Sequence, residues 1–207
     1  MDETPLIFVV DDDQNMLRLI ATVLRNEGHV VQTYANSSEF LKHFRPEQRG
    51  CLLLDVDMPG LSGLELQQEL ATRLIDLPII FLTATVDVPT AVKAMKHGAL
   101  DVLQKPFEVP TLLAAVGRAL EQDAERSDQT KRYKVICLRR SRLTPRELEV
   151  MDLVVAGNSN KQIAAHLKLS SKTVEIHRGR VMKKMEAGSV ADLVHQSVEF
   201  AKFSLAK

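Results

Sequence analysis

Asp55 and Asp57 follow a run of leucines in the stretch LLLDVDMPGLSG. Burying an unpaired carboxylate costs on the order of several kcal/mol, so both are expected at a solvent edge, beside a cation, or both. A second acidic run, Asp11–Asp13, follows the apolar segment LIFVV, while Thr83 and Lys105 directly follow two further apolar segments. Carboxylate oxygens suit a hard cation such as Mg²⁺, and a lysine suits a phosphoryl group. These residue types therefore indicate metal and phosphoryl chemistry.

The elements that must position these side chains are five repeats of a strand followed by a helix. Short apolar runs lie at 6–10, 30–34, 51–55, 79–82 and 101–104, and helical patterns lie near 14–27, 37–44, 63–74, 88–97 and 109–120. This alternation predicts the α/β class, with a doubly wound, five-stranded parallel sheet covered on both faces. Ligands of such sheets bind beyond the carboxyl ends of the strands, where the acidic residues, the hydroxyl and the lysine are expected to converge.

Phosphoryl transfer is the reaction that this set of side chains predicts. The Asp55 carboxylate could attack a phosphoryl donor, while Mg²⁺ and Lys105 neutralise charge on the transferring group. A phosphorylated Asp55 would carry about −2 charge and new acceptor oxygens, which could attract Thr83 and Lys105 and shift the neighbouring loops. The same site is therefore predicted to act as a switch.

Residues 5–120 resemble the receiver domain of bacterial two-component response regulators, in the motifs VVDDD, LLLDVDMPG, FLTA and QKPF. The resemblance implies a flavodoxin-like fold and a Mg²⁺ site. It implies that Asp12 binds Mg²⁺ directly, Asp11 through water and Asp57 through its backbone carbonyl. Asp55 matches the phosphoacceptor aspartate and is also a metal ligand.

The resemblance also assigns the switch residues. Thr83 matches the switch hydroxyl and Lys105 the lysine that pairs with the phosphoryl group, and the Lys105–Pro106 bond is expected to be cis. Val102 stands where the family often has a Tyr or Phe that moves inward on activation. The signal is therefore expected to travel mainly through Thr83 and the surface of the fourth helix.

Charge divides the chain into an acidic and a basic part. Residues 1–118 carry 16 acidic and 10 basic side chains, whereas residues 141–207 carry 7 acidic and 11 basic ones. The basic part suggests an anionic partner such as nucleic acid. We divide the chain into a first domain at 1–120, a helical linker at 121–141 and a second domain at 142–207.

The second domain is predicted to be a small all-α helix-turn-helix domain. Helices are expected at 145–156, 160–167 and 171–185 and from Ser189 onward, each preceded by a Ser or Thr cap. On the third of them, Val174, Met182 and Met185 should face the core. Its basic side chains should face outward: Lys172, His177, Arg178, Arg180, Lys183 and Lys184. A basic helix after a tight turn is typical of DNA binding.

Residues 142–200 resemble the LuxR-type DNA-binding domain, and the order of the two domains resembles the FixJ-like subgroup of response regulators. The resemblance implies that the third helix enters the major groove and that the fourth mediates dimerisation. It assigns Lys161 and Thr173 to phosphates and His177 and Arg178 to the backbone or groove edge. Base-facing positions are Glu175, Ile176 and Gly179. The family often has Gly where this chain has Lys168 and Glu186.

The sequence therefore predicts a transcriptional regulator that a histidine kinase phosphorylates on Asp55 with Mg²⁺, promoting a homodimer that binds promoter DNA. It would turn over no separate substrate, and RNA polymerase is a further partner that this function allows. Two cysteines without a spaced motif, no basic signal start and no run of about 20 apolar residues favour the cytoplasm, with no membrane contact.

Two alternatives stay open from the sequence. A D-x-D pair after an apolar strand also fits a Mg²⁺-dependent phosphohydrolase of the haloacid-dehalogenase type, although that family usually has its pair near the N-terminus, with a cap insert. Multiple turnover of phosphomonoesters would favour it. The receiver could instead be a dimerisation module that works without phosphorylation. Promoter affinity unchanged by phosphorylation would favour that interpretation.

Overall fold

The computed structural model describes residues 4–85 and 88–205, which form two compact units that divide between Ser127 and Asp128. The elements of the first unit are β1 Leu6–Val10, α1 Gln14–Asn26, β2 Val30–Tyr34, α2 Ser37–His43, β3 Gly50–Asp55, α3 Gly63–Thr72, β4 Ile79–Thr83, α4 Val88–Lys96, β5 Asp101–Gln104 and the first part of α5 Val109–Ser141.

The first unit is a five-stranded parallel sheet in the order β2-β1-β3-β4-β5. One face of the sheet packs against α1 and the first part of α5, and the other packs against α2, α3 and α4. Every residue of β3 and β4 is buried, as expected for central strands covered on both sides. The predicted α/β class, with its doubly wound parallel sheet and a helical second domain, is confirmed.

The strand order determines where the side chains named above meet. β1 and β3 are neighbours in register, with Val10 opposite Leu54, so Asp11 and Asp55 leave the sheet side by side. β4 and β5 are also neighbours, with Thr83 opposite Gln104. The backbone N–H of Lys105 donates to the carbonyl of Thr83 at 2.7 Å, and the Lys105–Pro106 bond is cis, as predicted.

Helix α5 is one continuous element from Val109 to Ser141. The predicted helix at 109–120 and the predicted helical linker at 121–141 are thus parts of a single helix. Its last part belongs to the second unit, where Ile136 is 4% exposed within the core. Tyr133 of the same segment stacks on Phe203 of the last helix, with ring centroids 4.9 Å apart.

The second unit also contains α6 Pro145–Val155, α7 Asn160–Leu167, α8 Ser171–Lys184 and α9 Val190–Leu205. α6 and α7 begin with complete capping boxes, in which the side chains of Thr144 and Ser159 accept from the backbone three residues on. Lys168 and Glu186 adopt positive φ angles of 53° and 51°. These are the two positions where a Gly is usual in the family that the sequence resembles. In the described part of the chain, no helix has both the length and the apolar character required to cross a membrane.

Candidate functional site

The carboxylates of Asp11, Asp12 and Asp55 form a cluster beyond the ends of β1 and β3, with ligand oxygens within 4.8 Å of one another. Asp11 is fully buried and Asp55 is 5% exposed, whereas Asp12 is exposed to solvent. Asp11 is held in place by the backbone N–H of Asp13, which donates to its Oδ1 at 2.9 Å. The cluster therefore combines two buried carboxylates with one that is exposed to solvent.

Lys105 bridges the two buried carboxylates of this cluster. Its Nζ donates to Asp11 Oδ2 at 2.7 Å and to Asp55 Oδ1 at 3.0 Å. Burial lowers the pKa of Lys105, but the hydrogen bonds and charges of the two carboxylates outweigh burial, so its pKa is raised above the ordinary value. The lysine is thus a fixed cation at neutral pH.

The pKa of Asp55 is raised, and the largest cause is burial of its carboxylate. Lys105 lowers this pKa through a hydrogen bond and its charge, while the negative charges of Asp11 and Asp12 raise it. Three carboxylates and one ammonium leave the site with excess negative charge. A divalent cation would offset that excess, and the oxygen ligands fit Mg²⁺, which binds a few carboxylates and keeps several waters.

Thr83 ends β4, the strand beside β3, and Asp57 follows β3 two residues after Asp55; the two side chains differ in exposure. Thr83 is 2% exposed, and its hydroxyl donates to the carbonyl of Thr85 at 2.9 Å while accepting from the Thr85 N–H at 3.3 Å. Asp57 follows β3 with its side chain exposed to solvent. Within the described ranges, the carboxylate cluster contains Asp11, Asp12 and Asp55 without the Asp57 carboxylate.

Gly63 contributes to the site through its backbone and was not singled out from the sequence. A Cβ atom at this position would lie 2.1 Å from the carbonyl oxygen of Asp55. The Gly63 N–H also donates to the carbonyl of Val56 at 3.0 Å, which ties the start of α3 to the chain just after Asp55. The sequence signal is the SG pair after the MPGL turn, where Ser62 caps α3 in a capping box.

The second unit contains the predicted helix-turn-helix, formed by α7 and α8. The three residues expected to face bases, Glu175, Ile176 and Gly179, are all exposed on α8, and the Ile176 side chain is 49% exposed. Their spacing of one and four residues places them on one helix face. Lys161 is exposed on α7, so all four of these positions are accessible to a partner.

Three of the four residues predicted to contact the DNA backbone or groove edge are less exposed than the base-facing ones. Thr173, His177 and Arg178 are half-buried. The Thr173 hydroxyl lies 2.7 Å from the hydroxyl of Ser170, the residue that caps α8. Arg178 Nη1 donates to Asn160 Oδ1, at the start of α7, at 2.6 Å.

The core face of α8 differs from the prediction at its end. Val174 and Met185 are buried as expected, and Val181 is buried as well, whereas Met182 is only partly buried against the same core. Lys184, expected to face outward, instead donates to Oε2 of the buried Glu147 at 2.6 Å. Its positive charge is therefore paired with a carboxylate of the same unit.

Comparison with known proteins assigns both units to described families. Residues 7–117 match the response regulator receiver domain, and residues 141–197 match the bacterial regulatory proteins of the luxR family. Nodulation protein W of Bradyrhizobium diazoefficiens is 45% identical over 93% of this chain and 85% of that protein. The transcriptional regulatory protein FixJ of Azorhizobium caulinodans is 39% identical over 96% of this chain and 94% of its own length.

Solved structures show the same similarity. The response regulator StyR matches 95% of this chain and 100% of its own, with 43% identity and a TM-score of 0.85. Full-length FixJ from B. japonicum matches 97% of this chain and 99% of its own, with 36% identity and a TM-score of 0.59.

Proposed function

Because this chain belongs to the FixJ-like response regulators, which join a receiver domain to a LuxR-type DNA-binding domain, we propose that phosphorylation of Asp55 controls its binding to promoter DNA. The receiver domain implies a histidine kinase as partner, and the LuxR-type domain implies DNA. The receiver match covers the D-x-D pair, so the phosphohydrolase alternative loses its support. The bridge from Lys105 to Asp11 and Asp55 is the observation that carries the proposal.

In the proposed reaction, a carboxylate oxygen of Asp55 attacks the phosphorus of the kinase phosphohistidine. The new P–O bond to Asp55 forms as the P–N bond breaks, and the imidazole nitrogen keeps the electron pair and takes up a proton. Lys105, already 3.0 Å from Asp55, stays beside the phosphoryl oxygens and offsets their charge. The chain modifies only its own side chain and turns over no separate substrate.

Asp11, Asp12 and Asp55, with the backbone carbonyl of Asp57, are the proposed Mg²⁺ ligands. The bound ion would supply charge neutralisation for the transferring phosphoryl group. Asp11 and Asp55 are held by Lys105 and by the parallel pairing of β1 with β3, so the oxygens need little rearrangement to bind it.

Thr83 is the proposed link from the phosphoryl group to the surface. Its hydroxyl now donates to the carbonyl of Thr85, and a phosphoryl oxygen on Asp55 would compete for that proton. Transfer of the hydrogen bond would release the Thr85 carbonyl that the Thr83 hydroxyl now holds. Val102 is half-buried and small, so this route does not need a moving aromatic ring.

In the DNA-binding unit, α8 is proposed to enter the major groove. Glu175 could accept from a cytosine amino group and Ile176 could contact a thymine methyl, with Gly179 beside them allowing close approach. Lys161, Thr173, His177 and Arg178 are proposed to contact the backbone or groove edge. Functional domains are proposed at 1–120 and 142–207, joined by 121–141.

Phosphorylation is proposed to promote a homodimer that places two copies of α8 on two half-sites, with contact to RNA polymerase as a further step. The cytoplasm is the proposed location, since the kinase and the promoter both have to be reached. A dimer fits two half-sites one helical turn apart, because successive major grooves then face the same side of DNA.

Labelling with acetyl phosphate and Mg²⁺ tests the site. Wild-type protein should gain the mass of one phosphoryl group, Asp55→Asn should gain none, and Asp57→Asn, the matched control, should be labelled. Light scattering and DNA selection from genomic fragments, with and without the phosphodonor, then test dimerisation and binding. Normal labelling of Asp55→Asn would refute the phosphoacceptor assignment, and equal DNA binding in both states would favour the phosphorylation-independent alternative.

A further inference from the structure

Arg178 is joined to the neighbouring helix by a side-chain hydrogen bond. Its Nη1 donates to Oδ1 of Asn160 at 2.6 Å, linking the middle of α8 to the first residue of α7. Both side chains are half-buried. The guanidinium is therefore fixed in the absence of any ligand.

Asn160 is available for this contact because other residues cap α7. The Ser159 hydroxyl accepts from the Gln162 N–H at 3.4 Å, and Gln162 Oε1 accepts from the Ser159 N–H at 2.8 Å. An Asn near a helix start often serves as the cap itself, but here that role is filled one residue earlier. The Asn160 side chain instead reaches α8.

The chemistry of the acceptor matters, because Asn160 is neutral. A guanidinium has five N–H donors, so one bond to an amide oxygen leaves others for phosphate oxygens and leaves the positive charge intact. Lys184 shows the opposite case, since its ammonium is paired with the Glu147 carboxylate. Arg178 is thus held in position without being neutralised.

We propose that Asn160 is a positioning residue for DNA binding, which holds the Arg178 guanidinium where it meets a backbone phosphate. The inference rests on the proposed DNA-binding function and adds a role for a residue that does not itself contact DNA. Without Asn160, Arg178 would sample several rotamers and lose that freedom on binding. The ordering cost of one long side chain corresponds to about a three- to tenfold loss of affinity.

A double-mutant cycle in the full chain tests this coupling. The probe is a fluorescent 24-base-pair duplex of random sequence at low salt, because phosphate contacts are sequence-independent and no operator is needed. Asn160→Ala should weaken binding about three- to tenfold in the wild-type background and have no effect in the Arg178→Ala background. Lys161→Ala, the control from the adjacent position, should weaken binding equally in both backgrounds.

Salt dependence provides a second readout that a structural defect would not imitate. Asn160→Asp should pair a carboxylate with Arg178 and lower the slope of log affinity against log salt by about 0.9, the value for one phosphate contact. Asn160→Ala should leave that slope unchanged, because Arg178 keeps its charge. Urea unfolding of both variants should match the wild type.

The outcomes separate this inference from the function on which it rests. If Arg178→Ala weakens binding but Asn160→Ala acts equally in both backgrounds, or tightens binding, Asn160 does not position Arg178 and only the inference fails. If the wild-type chain binds the duplex no better than a chain with Lys161 and Arg178 both changed to Ala, the proposed DNA interface itself is wrong.

Discussion

The ammonium of Lys184, in the last turn of α8, donates to Oε2 of Glu147, in the first turn of α6, at 2.6 Å. Glu147 is 2% exposed, and the same oxygen accepts from the Thr144 N–H at 2.9 Å. The helix cap of α6 and the C-terminal end of the proposed recognition helix thus share one carboxylate. The hydrogen bond from Lys184 is the largest cause that lowers the pKa of Glu147, from 4.5 to about 2.

Changing Lys184 should therefore destabilise the second unit. Lys184→Met leaves a buried carboxylate without its cation, and we expect the free energy of unfolding to fall by on the order of 1–3 kcal/mol. The chain has two tyrosines and no tryptophan, so in a Tyr34→Phe background the fluorescence of Tyr133 reports this unit during urea unfolding. Lys183→Met, the exposed neighbour, is the control and should change little. Equal effects of both changes would contradict the prediction.

The same pair predicts a pH dependence. The pKa of Glu147 is lower in the folded state, so its contribution to stability is complete above about pH 4.5 and is lost as the pH falls toward about 2. Glu147→Gln keeps an acceptor for the cap and removes the titrating group. Urea midpoints of Tyr133 fluorescence between pH 3 and 6 should thus fall less steeply for this variant than for the wild type; parallel curves would exclude Glu147 as the cause.

The positive φ angles of Lys168 and Glu186 predict that Gly stabilises the second unit at both positions, by different amounts. Lys168→Gly relieves the backbone strain of a left-handed residue and should stabilise the second unit by about 0.5–1 kcal/mol. Glu186→Gly should gain less, because the Glu186 carboxylate pairs with Arg139 of α5. In an Arg139→Gln background the two gains should become equal. A gain from Glu186→Gly at least as large as that from Lys168→Gly in the native background would show that the ion pair contributes nothing.

The sequence could predict the helices and strands, but not every contact between side chains. Asp11 and Asp55 follow apolar runs, and parallel strands end at one edge, so the pattern places both at that edge. Their side-by-side position depends also on the pairing of β1 with β3. The contact between Lys184 and Glu147 was not predictable, because it depends on how α6 packs on α8, and a terminal lysine on a basic helix is usually exposed. The absence of Gly and Pro from 121–141 indicated a helical linker. The packing of Ile136 and Tyr133 within the second unit was not predictable, because it depends on tertiary contacts.

Gln67 has a buried polar atom, and an apolar substitution that removes it should stabilise the receiver. Its Nε2 donates to the Ala94 carbonyl at 3.2 Å, but its Oε1 has no partner among the described residues. Ala94 still accepts from the Ala99 N–H, so Gln67→Leu leaves no new unpaired group and should stabilise the receiver by about 1 kcal/mol. Tyr34 fluorescence in a Tyr133→Phe background measures this. Gln68→Leu, at the exposed neighbouring position, should give no gain, and a loss for Gln67→Leu would mean that the Ala94 bond dominates.

Gly63 should be intolerant of even one added methyl group. Its Cβ would lie 2.1 Å from the Asp55 carbonyl oxygen, so the chain must move at the residue that holds the proposed phosphoacceptor. We expect Gly63→Ala to slow acetyl phosphate labelling at least about tenfold, since a displacement of about 1 Å at a reacting group has a large effect on rate. Gly117→Ala is the matched control: no atom lies within 4 Å of its Cβ, and Ala should stabilise that exposed site in α5 by about 0.5–1 kcal/mol without changing labelling. Labelling of Gly63→Ala at the wild-type rate would show that Asp55 chemistry tolerates movement of the backbone that supports it.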